Sequence, residues 1–418
     1  MQKSVASAAV NGRVVAPSSK SLLQRAIMVA ALTRGTTTLR VESGSYCDDV
    51  RAALAVASAL GAEVIEGGRA LVIRGGHPPR ATTLHCGESG LSLRMTCAVS
   101  ALFDQAFTIT GSGSLTTRPI GDIGQPLALL GVACHTTAGH LPVCVQGPLH
   151  GGVLTLDGSL SSQFLTGLLI ALPLAKEESM LIVTSLASRP YVAMTCQVLR
   201  DCGIRLDYSA AFDRFTIPGG QHYVPRTYTV EGDWSGAAPL LVAGALAGAV
   251  EVAGLSSDSL QADAAVLTVL RAVGAAVTVQ DDTVAVQRSR LRPFTFDATD
   301  APDLFPPLVA LAVFCEGESR IGGVGRLVHK ESNRGRVLVE EFGKLGARVR
   351  LADDELCIAG GHIVHGGCVA SHGDHRIAMA LAVAALRADG PVTIVGAESV
   401  AKSYPTFFED LATLQERI

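Results

Sequence analysis

Six short stretches of this 418-residue chain combine residue types that hold anions, and they recur at nearly constant spacing. They are PSSKSLLQR around Lys20, GESGLSLR around Gly90, GSLSSQFL around Ser162, GDWSGAA around Ser235, DAPDLFPP around Asp303 and GDHRIAMA around Asp374, separated by 70, 72, 73, 68 and 71 residues. Each sets Ser, Asp or Gly just ahead of an apolar run that reads as a helix, which is the composition of an N-cap. Capping alone accounts for any one of them. At equivalent positions of a repeated unit, however, six helix N-termini would face one region, each offering free N–H groups and about half a positive charge. Lys20, Arg25, Arg94, His375 and Arg376 add side-chain cations to these loops. In a chain of net charge -4, that gathering predicts a polyanionic small-molecule ligand bearing phosphate or carboxylate groups.

Two more stretches carry concentrated chemistry. HKESNRGR places Lys330, Glu331 and Arg334 together; read as a helix, Lys330 and Arg334 are one turn apart on the same side. A solvated charged face would show the same pattern. AKSYPTF sets Lys402 in a turn before Pro405, where an ordinary surface lysine is the plain alternative. Other chemistries lack their signatures. GSGSLT at Gly111 has no third glycine of a dinucleotide fingerprint, and no G-x-x-x-x-G-K-[ST], H-E-x-x-H or G-x-S-x-G occurs. The histidines show no metal-ligand spacing, so no metal is expected.

The elements that must position these loops also repeat. An apolar helix end, a glycine and a strand-like alternation recur in SALGAEV, ALLGVAC, RDCGIRL, RAVGAAV and GKLGARV, whose glycines (Gly61, Gly131, Gly203, Gly274, Gly346) are 70, 72, 71 and 72 residues apart. A second series is interleaved at Gly35, Gln105, Glu177, Gly248, Gly317 and Gly390. The glycines read as helix C-caps needing left-handed backbone. The chain thus divides into six units of about 70 residues, each with two helix–turn–strand passages, for which right-handed crossovers and largely parallel pairing are expected. A crossover between two groups of three units is expected near Thr229–Asp233, giving one domain over 13–230 and a second over 1–12 and 231–418.

Composition sets the outer bounds. The chain is 48% hydrophobic and 17% charged, ample for packed cores and incompatible with disorder as its main state. Only six of its 34 cationic residues are Lys, and three of those six are Lys20, Lys330 and Lys402. The acidic balance argues against a nucleic-acid surface. Ten scattered Cys without C-x-x-C fit reduced thiols better than a disulfide framework. The apolar runs are too interrupted for a membrane span and the first residues too weakly apolar for a signal peptide, so a soluble, cytoplasmic protein is expected.

Taken together, PSSKSLLQR, GESGLSLR, TTRPIGD, DGSLSSQFLTGLL, SRPY, VEGDWS, DAPDLFPP, HKESNR, GDHRIAMA and AKSYPTF resemble, in order and over essentially the whole chain, the 5-enolpyruvylshikimate-3-phosphate synthases (3-phosphoshikimate 1-carboxyvinyltransferases) of the enolpyruvyl transferase family. The resemblance implies a two-domain inside-out α/β barrel with three repeats per domain, a hinge that closes on substrate, and no cofactor. It also implies transfer of the enolpyruvyl group of phosphoenolpyruvate to the 5-hydroxyl of shikimate 3-phosphate, with release of phosphate, by a monomer without nucleic-acid or membrane partners. On the matching residues, Lys20, Ser21, Arg25, Ser161, Ser162, Gln163, Ser188, Tyr191, Asp303 and Lys330 would contact shikimate 3-phosphate. Lys20, Gly90, Arg118, Gln163, Arg334, Arg376 and Lys402 would contact phosphoenolpyruvate. Asp303 would be the base near the 5-hydroxyl, Glu331 the proton donor to the methylene carbon, and Lys20 a further catalytic group.

The chain departs from the family pattern at five positions. Ser18 replaces a common Gly, Glu88 and Leu91 stand where Asn and Thr are usual, Arg326 where some members have Asn, and Asn333 where Asp is usual. Glu88 is expected to pair with a nearby arginine and weaken phosphoenolpyruvate binding. Two competing functions keep the fold: enolpyruvyl transfer to UDP-N-acetylglucosamine, whose enzymes usually carry a Cys ahead of the R-P motif that Phe103 to Arg118 lacks, and a non-catalytic module binding phosphorylated metabolites.

Overall fold

The computed structural model describes residues 1–42, 44–159 and 161–415. The chain divides into two compact units, one continuous (Lys20–Val230) and one assembled from Met1–Ser19 and Glu231–Ile418. The expected boundary after residue 12 falls inside the strand Val10–Val15, which pairs along its whole length with Gly248–Ala253. Residues 13–19 therefore go with the discontinuous unit, because cutting there would sever a complete parallel ladder.

The continuous unit holds three four-stranded sheets, each served by two helices. In its second sheet, Thr83–His85 pairs parallel with Ala106–Thr110 across the helix Gly90–Ser100, then Ala106–Thr110 pairs antiparallel with His140–Gln146, and that with Ala133–Thr137. The discontinuous unit holds two such sheets and a three-stranded one in the order Gln2–Val5, Val392–Val395, Gly367–Ala370. Each of the six sheets has one parallel pair, and every other pairing is antiparallel. The expectation of largely parallel pairing is corrected accordingly. A helix is long enough to return the chain in the same direction, but the two strands after the second helix are joined by tight turns such as Gly67–Ala70, which reverse it.

The helix that opens at each anion-type loop is deeply buried. All eleven residues of Gly90–Ser100 and of His375–Ala385 are buried, as are thirteen of the fourteen in Trp234–Ala247. Helices apolar all round belong in a core, while strands such as Val153–Asp157 alternate exposed and buried. The Gln163–Ala171 and Gly90–Ser100 helices approach closely because Gly167 has no side chain: a Cβ there would lie 2.9 Å from both Arg94 O and Met95 Cα. All five glycines of the first repeat series have left-handed backbone, φ +80 to +104°. In the second series only Gly35 and Gly317 do; Gly248, at φ 167°, is extended and begins a strand. That series marks strand entries more than C-caps.

The two places where the chain passes between units are tied to each other. Ser19 N donates to Glu231 O (2.8 Å) and Asp233 N to Pro17 O (2.7 Å). The buried amide of Gln261 accepts from Ser19 Oγ (3.0 Å) and Trp234 N (3.1 Å) and donates to Glu231 Oε1 (3.0 Å) and Gly232 O (2.8 Å). Strand pairing is exchanged here. Val10–Val15, ahead of the Lys20 helix, pairs with the strand after the Trp234 helix, and Thr227–Thr229, ahead of the Trp234 helix, pairs with Gly35–Arg40 after the Lys20 helix.

Candidate functional site

In the continuous unit, Lys20 is the first residue of its helix, and its Nζ lies 2.9 Å from Asp49 Oδ2. Arg25, only 1% exposed, is held by neutral acceptors: Nε donates to Thr195 Oγ1 (2.9 Å), Nη1 to Ser21 O (2.8 Å) and Nη2 to Tyr191 O (3.3 Å). Thr195 Oγ1 also donates to Tyr191 O and lies 3.2 Å from Thr166 Oγ1, so one polar cluster joins the Lys20, Gln163 and Arg189 helices. Ser188 leads into the Arg189–Asp201 helix with left-handed backbone (φ 60°), and its carbonyl accepts from Tyr191 N.

A second polar cluster gathers around Gly90. Ser89 caps that helix through Ser92 N. Gln24 Nε2 lies 2.7 Å from Ser89 Oγ, 2.9 Å from Ser92 Oγ and 3.2 Å from Asp49 O, fixing the Lys20 helix to the starts of two others. Arg94 donates to Gln163 Oε1 (3.1 Å) and to the carbonyls of Gly90, Pro119 and Ile120. An ideal Cβ on Gly90 would lie 3.2 Å from Arg118 Nη2 and 3.1 Å from Arg94 Nη1, so glycine lets both guanidinium groups approach this helix start closely. Ser161 Oγ accepts from Gln163 N, and Ser162 is buried ahead of the same helix without capping it. No carboxylate among the described residues pairs with Arg25 or Arg94. Burial pushes Arg25 down to about 10; Arg94 falls to about 10 through burial first and the nearby Arg118 second. Both remain charged at neutral pH, in a place that costs them solvation and that an anion would relieve.

The discontinuous unit is built on the opposite plan. Arg334, with no exposed surface, donates Nη1 to Asp303 Oδ1 (2.9 Å), Nη2 to Glu331 Oε2 (2.7 Å) and Asp374 Oδ1 (3.2 Å), and Nε to Asp374 Oδ2 (2.9 Å). Arg376 Nη2 lies 2.9 Å from Asp303 Oδ2 and Lys330 Nζ 3.6 Å from Asp303 Oδ1. Burial alone would push Arg334 down; Asp374, Glu331 and Asp303 together carry it above its ordinary value. Lys330 is lowered, by burial first, against the pull of Asp303. Lys402 ends a 3-10 turn and donates to Gly373 O (2.9 Å). HKESNRGR is not a helix throughout: Lys330 and Glu331 lie in the irregular approach, and the helix begins at Arg334. Asn333 caps it through Arg336 N, so the charged groups converge through a turn and not through one-turn spacing.

Within each unit, then, the expected residues come together. Sequence reasoning missed Asp49, Gln24 and Thr195, and took Asp374 only as a cap, although it does cap Arg376 N. Three of the departures have clear contacts: Asn333 caps its helix as above, Glu88 Oε2 accepts from Ser114 N and Oγ (both 3.0 Å), and Ser18 bridges to Gly232. Among the described residues, no helix is long and apolar enough to cross a membrane.

Comparisons with known proteins follow the same geometry. Residues 5–411 match the family described as EPSP synthase (3-phosphoshikimate 1-carboxyvinyltransferase). The chain is 36% identical to a 3-phosphoshikimate 1-carboxyvinyltransferase of Methanocorpusculum labreanum, covering 99% of this chain and 98% of that one. It is 39% identical to one from Halobacterium salinarum, with 99% of each covered. A solved EPSP synthase structure from Acinetobacter baumannii superposes with a TM-score of 0.82 at 27% identity, over 99% and 98% of the two chains.

Proposed function

Since the chain belongs to the EPSP synthase (3-phosphoshikimate 1-carboxyvinyltransferase) family, we propose that it transfers the enolpyruvyl group of phosphoenolpyruvate to the 5-hydroxyl of shikimate 3-phosphate, releasing phosphate. The observation that carries this reading is the pair of arginine-rich clusters, Arg25 with Arg94 in one unit and Arg334 with Arg376 in the other, each gathered near helix starts. Both substrates carry a phosphate and a carboxylate, and only dense cationic surroundings let two such anions meet.

Each site has a share of the work. Arg25, Lys20 and Ser21, with Ser161, Ser162, Gln163, Ser188 and Tyr191, hold shikimate 3-phosphate. Gly90, Arg118, Arg334, Arg376 and Lys402 hold phosphoenolpyruvate, Lys20 and Gln163 reach both, and Arg suits bidentate clamping of its oxyanions. Glu331 delivers a proton to the methylene carbon, which leaves the neighbouring carbon electron-poor. The 5-hydroxyl attacks that carbon, and Asp303, steadied by Lys330, takes the hydroxyl proton. Return of a proton to the phosphate and loss of one from the methyl group eliminate phosphate and restore the double bond. No cofactor enters this sequence. The reading extends to three repeats in each of two domains of an inside-out α/β barrel, and to a cytoplasmic monomer.

Phosphate release with both substrates tests the assignment. Turnover is expected, and Lys20→Ala should lower it on the order of 10²-fold or more, as when a preorganised electrostatic group is removed. Turnover with UDP-N-acetylglucosamine in place of shikimate 3-phosphate would reassign the substrate; binding without turnover would reduce the chain to a binding module.

A further inference from the structure

Glu341 belongs to none of the groups assigned above, yet its side chain has no exposed surface. It lies on the helix that Arg334 opens. Its Oε2 accepts from the backbone N of Ala370 (2.9 Å), and its Oε1 accepts from Lys344 Nζ and His372 Nε2 (both 2.6 Å). Burial alone would raise this carboxyl; the donors from Lys344, His372 and Ala370 hold it below its ordinary value. Glu340, Glu341 and His372 are close enough to suggest a metal cage. Lys344 argues against one: its ammonium lies 2.9 Å from Glu340 and 2.6 Å from Glu341, so the cluster carries its own cation.

The segment that Glu341 grips is unusual. His372 has φ +52° and Gly373 φ +69°, two successive left-handed residues. A non-glycine residue there is strained and persists only when its surroundings hold it. Glu341 holds it from one side. Ser371 holds it from the other, donating Oγ to Gly396 O (2.8 Å) and accepting from Gly373 N (3.2 Å). The sharp turn delivers two groups: Gly373 O, which receives Lys402 Nζ, and Asp374, which grips Arg334 and caps the helix of Arg376.

We propose that Glu341 and His372 are positioning residues for the phosphoenolpyruvate half of the site, the buried carboxylate holding the left-handed turn that sets Lys402, Arg334 and Arg376. The proposal rests on the function assigned above. Neither residue touches substrate. Their influence passes through Gly373 O and Asp374 to Lys402, Arg334 and Arg376 and reaches shikimate 3-phosphate only one step further on, through Asp303, so phosphoenolpyruvate should feel it more strongly.

The test varies each substrate separately in the phosphate-release assay, for the unaltered chain and for H372G, H372Q and E341Q. H372G relieves the backbone strain but removes the ring; H372Q keeps an N–H near the position of Nε2. H372G and E341Q should raise KM for phosphoenolpyruvate about tenfold, the scale of a small misplacement of binding groups, and leave KM for shikimate 3-phosphate within about twofold. H372Q should restore most of the loss. A folded H372G with an unchanged KM for phosphoenolpyruvate overturns the proposal. So does an equal rise in both KM values, which would mark general loosening. Turnover by the unaltered chain checks the function separately, so failure of the positioning role is read from the variants alone. Should E341Q not fold, H372G and H372Q, at a half-exposed site, carry the test.

Discussion

Arg25 and Arg334 are both arginines with almost no exposed surface, each near the start of a helix, yet their partners are opposite in kind. Arg25 rests on a threonine hydroxyl and two backbone carbonyls. Arg334 rests on three carboxylates. The first is a buried charge stabilised only by dipoles, and an arriving anion completes it. The second is already neutralised, and two of its three carboxylates, Asp303 and Glu331, are the groups that move protons in the proposed reaction. One unit thus buries an arginine among neutral acceptors, and the other buries one among carboxylates.

That contrast can be broken most directly by deleting the charges. Arg334→Leu removes the one cation shared by Asp303, Glu331 and Asp374 and should lower the unfolding free energy by about 3–5 kcal/mol in a denaturant titration. Arg25→Leu strands only neutral acceptors and should lose about 1–3 kcal/mol, its main effect being on shikimate 3-phosphate binding. Equal losses of stability would erase the distinction. Ligand-induced stabilisation sharpens it next. At about a hundredfold excess over its dissociation constant, shikimate 3-phosphate should add about 2.7 kcal/mol, a melting shift of about 3 °C for a chain of this length. At the same absolute concentration phosphoenolpyruvate alone should shift the melt less, because Arg334 and Arg376 already have carboxylate partners that weaken its affinity; the reverse order would contradict the comparison.

Acid should also tell the units apart. The depressed carboxyl of Glu341 contributes stability that is fully present above its ordinary value of 4.5 and is lost as pH falls through the lowered folded value. The discontinuous unit should therefore lose stability on acidification, and Glu341→Gln should flatten that slope in thermal melts between pH 3 and 6, about the range in which carboxyls titrate. The smallest effect is expected at Glu88. Its carboxylate oxygen accepts twice from Ser114, and Glu88→Asn should cost about 1 kcal/mol of stability. A several-fold fall in KM for phosphoenolpyruvate in the same variant is the outcome expected if Glu88 opposes that ligand; an unchanged KM would dismiss that expectation.

The sequence made some of this plain. Glycines at near-constant intervals announced the left-handed turns, because few other residues tolerate them. Asp233, Asp374 and Ser89 do cap the helices that their loops open. What stayed hidden depends on contacts between distant stretches. Nothing in CDDV marks Asp49 as the partner of Lys20, since the ion pair exists only once two helices are packed. Thr195 looks like any helical threonine until Arg25 reaches it from another repeat. HKESNRGR misled because charged residues one turn apart suggest a helix, whereas Asn333 prefers to cap one and so pushes its start to Arg334.

The exchange of strands where the chain passes between units fixes an order of events during synthesis. Everything the Lys20–Val230 unit needs leaves the ribosome in one uninterrupted run. Val10–Val15 precedes that run but waits for Gly248–Ala253, and Gln2–Val5 waits for Val392–Val395. Both strands therefore stay unpaired while the Lys20–Val230 unit is being made. Each carries a cation, Lys3 in one and Arg13 in the other, and charge of that kind keeps an open edge from joining a stranger while the nascent chain grows.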